Sequence, residues 1–278
     1  MKYSGCFMPE LPEVETTRRG LQQLTLNRNI VHIDIHQASL RWPIPDTICD
    51  IKNQTISEIK RRGKYLLIQL SNDQHLIMHL GMSGSITVLN TSEPLKKHDH
   101  FVAHLDNDTS LRFNDPRRFG CILLSRKNPE QHPLLASLGP EPLSDDFTGQ
   151  WLKKTANQRS VAVKNFIMNA RVVVGVGNIY ASEALFKAGI HPNRAASRTS
   201  LKRYQLLAHA IKNVLTEAIR AGGTTLQDFS NSEGKAGYFQ QQLAVYGRDG
   251  QACNNCQHTI KKIIIGNRSS YYCSHCQH

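Results

Sequence analysis

The chain has 278 residues, 40% of them hydrophobic and 20% charged, which is an ordinary globular composition with room for two domains. Lysine and arginine outnumber aspartate and glutamate by 34 to 22, a net charge of +12, which points to a polyanionic partner and to nucleic acid first. No run approaches the roughly 18 apolar residues of a membrane span, and the opening MKYSGCF lacks the apolar stretch of a secretory signal, so a cytoplasmic location is expected. Surplus lysine can also serve solubility alone, so charge by itself does not settle the partner.

Met8-Pro9-Glu10 reads as a second possible start inside the written one. Residues 1–8 are expected to be a non-native or processed extension. The next stretch, PELPEVETTRRGLQQL, has prolines at its beginning, acids in its first turns and Arg18 and Arg19 later, an order that suits a helix dipole. A helix is expected from about Glu13. Strand patterns follow to about residue 125, as in KYLLIQL, LIMHLGM and GSITVL, with FVAHLDNDTSLRF read as a hairpin turning through Asp106 to Asp108. Residues 9–125 are therefore expected to form a β-sandwich or flattened barrel with an N-terminal helix.

Residues 126–146 hold four prolines and no apolar period, and are read as an interdomain linker. Helices are expected from 147 to 243. The clearest is SLKRYQLLAHAIKNVLTEAIRAGG, with Leu207, Ile211, Val214, Leu215 and Ala218 on one face, Ser200 able to cap its start and Gly222 its end. Residues 222–250 are rich in glycine and polar side chains and are expected to be partly mobile.

Of the seven cysteines, four crowd into the last 26 residues. Cys253 and Cys256 are two residues apart, sixteen residues follow, and Cys273 and Cys276 repeat the spacing, a strong signal for one tetrahedral zinc ion. A closed set of four thiolates leaves no open position for catalysis, so this zinc is expected to be structural. The alternative, two disulfides, suits an oxidising compartment and not a cytoplasmic one. Between the knuckles, KKIIIGNRSSYYC has strand-like ends around Gly266-Asn267, which predicts a two-stranded zinc ribbon over 244–278. Cys49 and Cys121 are most simply packing residues, and Cys6 has no assigned role. His98, His100 and His104 form a further candidate metal set, against which stands the commoner unliganded state of such histidines.

Taken together, PELPEVET, RRGKYLL, HLGMSG, KHDH, DPRRFG, LGPEPL, VGVGNIYASEALF, AGIHP, GYFQQQLAVYGRDGQAC and the four terminal cysteines resemble the formamidopyrimidine-DNA glycosylase family, in family order from Met8 to His278. Leu11 stands where the related endonuclease VIII branch usually has glycine, so the chain resembles the 8-oxoguanine branch. The resemblance implies an α+β fold: a β-sandwich with an N-terminal helix, a helix-two-turn-helix domain and a four-cysteine zinc finger. It also implies a monomeric enzyme that removes oxidised purines from duplex DNA and then cuts the abasic strand.

By this resemblance the nucleophile is the amine of Pro9, and Glu10 protonates the opening sugar. Glu13 helps to orient the site. Lys64 donates a proton in β-elimination, and Arg268 of the zinc finger serves δ-elimination and phosphate contact. Met82, Arg117 and Phe119 fill the space left by a flipped base. His98, Arg159, Lys164 and Asn178 hold DNA, chiefly its phosphates, and Gly175 and Gly177 let the backbone approach a phosphate at a helix start. The segment from Thr224 to Gln242 corresponds to a loop that closes over the lesion. The rival expectation is a DNA-binding protein on the same scaffold without chemistry, which applies if Pro9 is not a free N-terminus.

Overall fold

A computed structural model describes residues 9–126, 128–223 and 243–278. The expected extension and the expected lesion-capping loop, residues 224–242, lie outside the described residues. The chain divides into two compact units, Met1–Ala136 with Ala221–Tyr238, and Ser137–Arg220 with Phe239–His278.

In the first unit, helix α1 runs from Leu11 to Thr25, beginning two residues before the expected Glu13. Proline is tolerated in a first helical turn because its missing N–H has no helical partner there, so Pro12 does not delay the helix. Eight strands follow: β1 Ile30–Ile35, β2 Ile56–Arg62, β3 Tyr65–Leu70, β4 His75–His79, β5 Ser85–Asn90, β6 Asp99–Leu105, β7 Thr109–Asn114 and β8 Cys121–Ser125. They pair antiparallel in two sheets, ordered β1-β6-β7-β5 and β2-β3-β4-β8. The predicted β6–β7 hairpin turns at 106–108, with Asp108 at φ 58°.

Alternation along these strands sends Ile59, Leu66, Ile68, Met78, Ile86, Phe101 and Phe113 into one core, which Val14 and Leu21 of α1 join. Helix α1 thereby rests on the sandwich, and its first turn is fixed by the packing of its later ones. A short helix α2, Pro133–Ala136, ends this part of the chain.

The second unit contains α3 Gly149–Thr155, α4 Val163–Ile167, α5 Asn178–Lys187 and α6 Leu201–Arg220. The stretch expected to be a linker divides between the units, and its later part is built into this one. The Gly139 N–H donates to Ala170 O at 2.8 Å, and the Val174 N–H donates to Pro140 O at 3.2 Å. Helix α6 buries Leu207, Ile211, Val214, Leu215 and Ala218, as its period predicts. Its start is capped by Ser200, whose Oγ accepts the Arg203 N–H at 3.3 Å, and Gly222 at φ 78° follows its end.

The chain closes with a hairpin of β9 Ile260–Ile265 and β10 Arg268–Cys273. Gly266 and Asn267 both have positive φ, 56° and 59°, the geometry of a two-residue type I′ turn. Among the described residues, no helix is long and apolar enough to cross a membrane.

Candidate functional site

Pro9 is buried at the entry to α1, and the two acids that follow it are buried as well, with Glu10 2% and Glu13 1% exposed. Carboxyl groups this deep need donors. Glu10 caps the helix, and its N–H donates to Glu13 Oε2 at 2.9 Å in a reciprocal capping box. The positive end of the helix dipole favours both acids. Gly223, at φ 84°, passes close to Glu13; a Cβ there would lie 3.1 Å from its Oε1.

Lys64 sits beside Gly63 in the tight β2–β3 turn, where Gly63 takes φ 58°. Arg61 ties this turn to α1: its Nη1 donates to Gly63 O at 2.9 Å and its Nε to Glu15 Oε2 at 3.2 Å. Burial works to raise the Glu15 carboxyl, but Arg18, Arg19 and Arg61 outweigh it and hold it below the usual carboxylate range. On the neighbouring sheet positions, Tyr65 opposes His79 and His79 opposes Cys121. His79 is pushed down to about 4 by burial and by the Lys64 and Arg41 charges, and its Nδ1 accepts the Gly81 N–H at 2.9 Å. The imidazole is therefore neutral, carrying its proton on Nε2.

Met82, Arg117 and Phe119 lie on two adjoining loops. Gly81 shows how close the loops are: a Cβ at this residue would fall 2.4 Å from Phe119 C and Gly120 N. Met82 is half-buried, Arg117 is exposed, and Phe119 keeps 44% of its surface, an unusual exposure for so large an apolar ring. The Arg117 guanidinium lies 5.0 Å from the centre of the Phe119 ring. His98 is half-buried at the edge of the β6 entry, its carbonyl accepting the Asp115 N–H at 3.0 Å. The three-histidine alternative does not assemble: His100 Nε2 bonds Asp115 O at 2.8 Å, whereas His104 Nε2 bonds Asp34 Oδ2 at 2.8 Å.

The second unit gathers a different set. Lys164 is wholly buried, its Nζ donating to Asn178 Oδ1 at 2.5 Å, Ser270 Oγ at 2.7 Å and Ser269 O at 2.9 Å. Asn178, the first residue of α5, donates from Nδ2 to Ser269 O at 3.1 Å. Ser269 follows the exposed Arg268, so α4, α5 and the β10 strand meet at one hub. Glu183 on α5 accepts three consecutive backbone N–H groups, Ala244 at 2.8 Å, Val245 at 3.0 Å and Tyr246 at 2.8 Å. Burial raises its pKa, and these three donors oppose the rise. Gly177 caps α5 and is itself buried. Arg159 stands apart from this hub, exposed, with its guanidinium 5.7 Å from the Phe166 ring centre.

Cys253, Cys256, Cys273 and Cys276 bring four sulfurs within 4.8 Å of one another, the one such metal-capable group among the described residues. Sulfur pairs stand 3.4 Å and 4.0 Å apart, around the roughly 3.8 Å edge of a tetrahedron with metal–sulfur bonds of about 2.3 Å. Soft thiolates in this geometry suit zinc.

The chain thus joins a sandwich that buries two acids at a helix start to a helical unit that carries a four-thiol ribbon. Three family models match in succession: the formamidopyrimidine-DNA glycosylase N-terminal domain over residues 8–122, the formamidopyrimidine-DNA glycosylase H2TH domain over 138–230, and the zinc finger found in FPG and IleRS over 250–278. The formamidopyrimidine-DNA glycosylase of Hahella chejuensis is 53% identical over 271 residues, 97% of this chain and 100% of that protein. That of Alcanivorax borkumensis is 53% identical over 270 residues, with the same coverage. Among solved structures, the MutM (Fpg) protein of Thermus thermophilus superposes with a TM-score of 0.88 at 37% identity, covering 97% of this chain and 98% of the other. The Lactococcus lactis Fpg in complex with DNA containing an abasic site gives 0.90 at 32% identity, covering 96% and 99%. The chain belongs to the formamidopyrimidine-DNA glycosylase family.

Four residues with clear structural parts in these sites went unnoticed in the sequence: Ser83, Asp115, Arg61 and Glu183. Each lies inside a quoted motif or directly beside one, but its partner is distant in the chain or in another loop.

Proposed function

We propose that this chain excises oxidised purines, 8-oxoguanine and formamidopyrimidines, from duplex DNA, and then cleaves the abasic strand by β,δ-elimination. The observation that carries the proposal is the start of α1, where Pro9 directly precedes two buried, mutually capping acids. A freed Pro9 nitrogen is an amine, and the positive end of the helix favours its unprotonated form, which holds an unshared pair. That pair attacks the sugar C1′, the base leaves with the bonding electrons and takes up the proton the Pro9 nitrogen gives up, and Glu10 protonates the ring oxygen as the sugar opens to a Schiff base. Glu13, bonded to the Glu10 N–H, orients the turn.

Lys64, held on its turn by Arg61, supplies the proton for β-elimination. Arg268 binds phosphate during the second elimination; a guanidinium keeps its proton too firmly to be the acid. Met82, Arg117 and Phe119 replace the flipped base in the stack and pair with its orphaned partner, which accounts for an exposed phenylalanine under an arginine. His98, Arg159 and Asn178 hold backbone phosphates, and Lys164 acts through Asn178 and Ser269. One zinc ion on Cys253, Cys256, Cys273 and Cys276 fixes the ribbon; it supplies folding energy and takes no part in the chemistry. The chain acts as a monomer on DNA, and the N-terminal part to residue 125, the helical part to 243 and the ribbon from 244 are its working domains.

An acylated Pro9 has no nucleophilic pair, so residues through Met8 must be absent from the active form. The family model's first matched residue, 8, supports this. The second reading, binding without chemistry, follows if the extension stays. The test expresses forms starting at Met1 and at Met8, records their N-terminal masses, and traps each with borohydride on duplex DNA carrying 8-oxoguanine. The Met8 form, trimmed to Pro9, is expected to form a covalent adduct and the Met1 form none. An adduct on an intact Met1 form overturns the proline assignment.

A further inference from the structure

We propose that Asp115, acting with Ser83, is the positioning residue that sets Met82 in register with Arg117 and Phe119. The inference rests on the reading that these three side chains enter the duplex. Asp115 is completely buried, and both carboxyl oxygens are engaged, each by a different loop. Oδ1 accepts the Ser83 hydroxyl at 2.6 Å, from the loop that carries Met82. Oδ2 accepts the Gly120 N–H at 2.8 Å, from the loop that carries Phe119. Ser83 closes the circuit, because its Oγ also accepts the Arg117 N–H at 3.1 Å.

The Asp115 backbone is pinned as well. Its N–H donates to His98 O at 3.0 Å, and its carbonyl accepts the Arg118 N–H at 3.2 Å and bonds His100 Nε2 at 2.8 Å. Arg118, held there at φ 56°, makes a left-handed step that a non-glycine residue rarely takes unless its surroundings enforce it. That step lies between Arg117 and Phe119, so the same anchor governs how those two side chains diverge.

Exposed side chains cannot fix their own direction, and an intercalating group displaced by about 1 Å loses much of its effect. The clamp supplies that fix from below. A buried carboxyl with two acceptor oxygens is suited to joining two donors from separate loops; an amide, with one acceptor oxygen, is not.

The test uses the full chain and needs no chemistry. Affinity is measured for a duplex bearing a tetrahydrofuran abasic analogue opposite cytosine or adenine, and for the same lesion strand alone. A single strand has no orphaned base and no void, so it reports phosphate contacts and folding only. Ser83→Ala and Asp115→Asn are expected to weaken duplex binding about tenfold, narrow the cytosine-to-adenine ratio toward one, and leave single-strand binding unchanged. Ser83→Thr, which keeps the hydroxyl, is expected to restore both duplex measures.

Arg117→Ala and Phe119→Ala serve as the reference. If they lose the ratio while Ser83→Ala and Asp115→Asn keep it, the clamp is overturned and the void-filling reading stands. If the reference variants keep the ratio, the void-filling reading fails and the clamp has nothing to position. Equal loss on duplex and single strand marks Asp115 as a folding residue only and also overturns the proposal. Should Asp115→Asn fail to fold, the Ser83 pair decides alone.

Discussion

The start of α1 and the hub of the helical unit hold their functional side chains by opposite means. At the start of α1, Glu10 and Glu13 fix each other across three residues of one helix turn. In the helical unit, Lys164 reaches Ser269 and Ser270 across 105 and 106 residues, and Asn178 reaches Ser269 across 91. Local contacts form as soon as the helix or hairpin does. Long-range contacts exist only once the whole unit, ribbon included, has closed, so the hub is expected to respond as a whole where the α1 start responds by itself.

Metal removal tests that contrast most severely. Stripping zinc, or Cys273→Ser, is expected to undo the ribbon, withdraw Ser269 from Lys164 and Asn178, and cost on the order of a hundredfold or more in duplex affinity. Fluorescence anisotropy reads the affinity, metal analysis is expected to find one zinc per intact chain, and calorimetry should keep a melting transition for the sandwich. A single joint melt would break the comparison.

Lys164→Met comes next, leaving Asn178 Oδ1, Ser269 O and Ser270 Oγ without that donor, for a loss of about 3 kcal/mol in urea unfolding. His79→Asn probes the first unit through pH. The native imidazole is pushed down to about 4 while the unfolded one titrates near 6.5, so the unfolded chain binds more protons between these values and stability falls as pH drops through that window. The asparagine keeps an acceptor for the Gly81 N–H and is expected to remove about 1 to 3 kcal/mol of that acid loss, read from urea midpoints at pH 7 and pH 4.5.

Glu13→Ala is the mildest, costing about 1 kcal/mol as one half of the capping box is lost. Borohydride trapping should slow in this variant while duplex affinity holds. A loss of affinity instead would show that the helix start is coupled to binding, which the local character of its contacts argues against.

The same division explains what the sequence revealed. Strand alternation, the α6 stripe, its Ser200 cap, the Gly266-Asn267 turn and the spaced cysteines are all periodic or local, and each was legible. Helix α1 starts two residues before Glu13 although glutamate is not a favoured cap; only the reciprocal bond with Glu13 makes Glu10 one. The resemblance implies that Lys164 holds DNA, and nothing in VAVKNF announces acceptors a hundred residues away. Asp115 sits in plain view within DPRRFG, yet its meaning depends on Ser83, a residue of another loop. Family motifs name which residues matter; they do not say what each is bonded to.

Gly266 at the ribbon tip has a consequence for folding fidelity. A Cβ there would meet Asn165 Nδ2 at 2.4 Å, and φ 56° lies in the left-handed region that glycine adopts most readily. In a two-stranded ribbon, a slip of one residue turns every side chain to the opposite face. Ser270 would then turn away from Lys164, whose ammonium would lose the hydroxyl that accepts from it. The glycine at the turn thus serves the alignment of β9 and β10 in which Arg268 stays exposed and Ser270 stays buried.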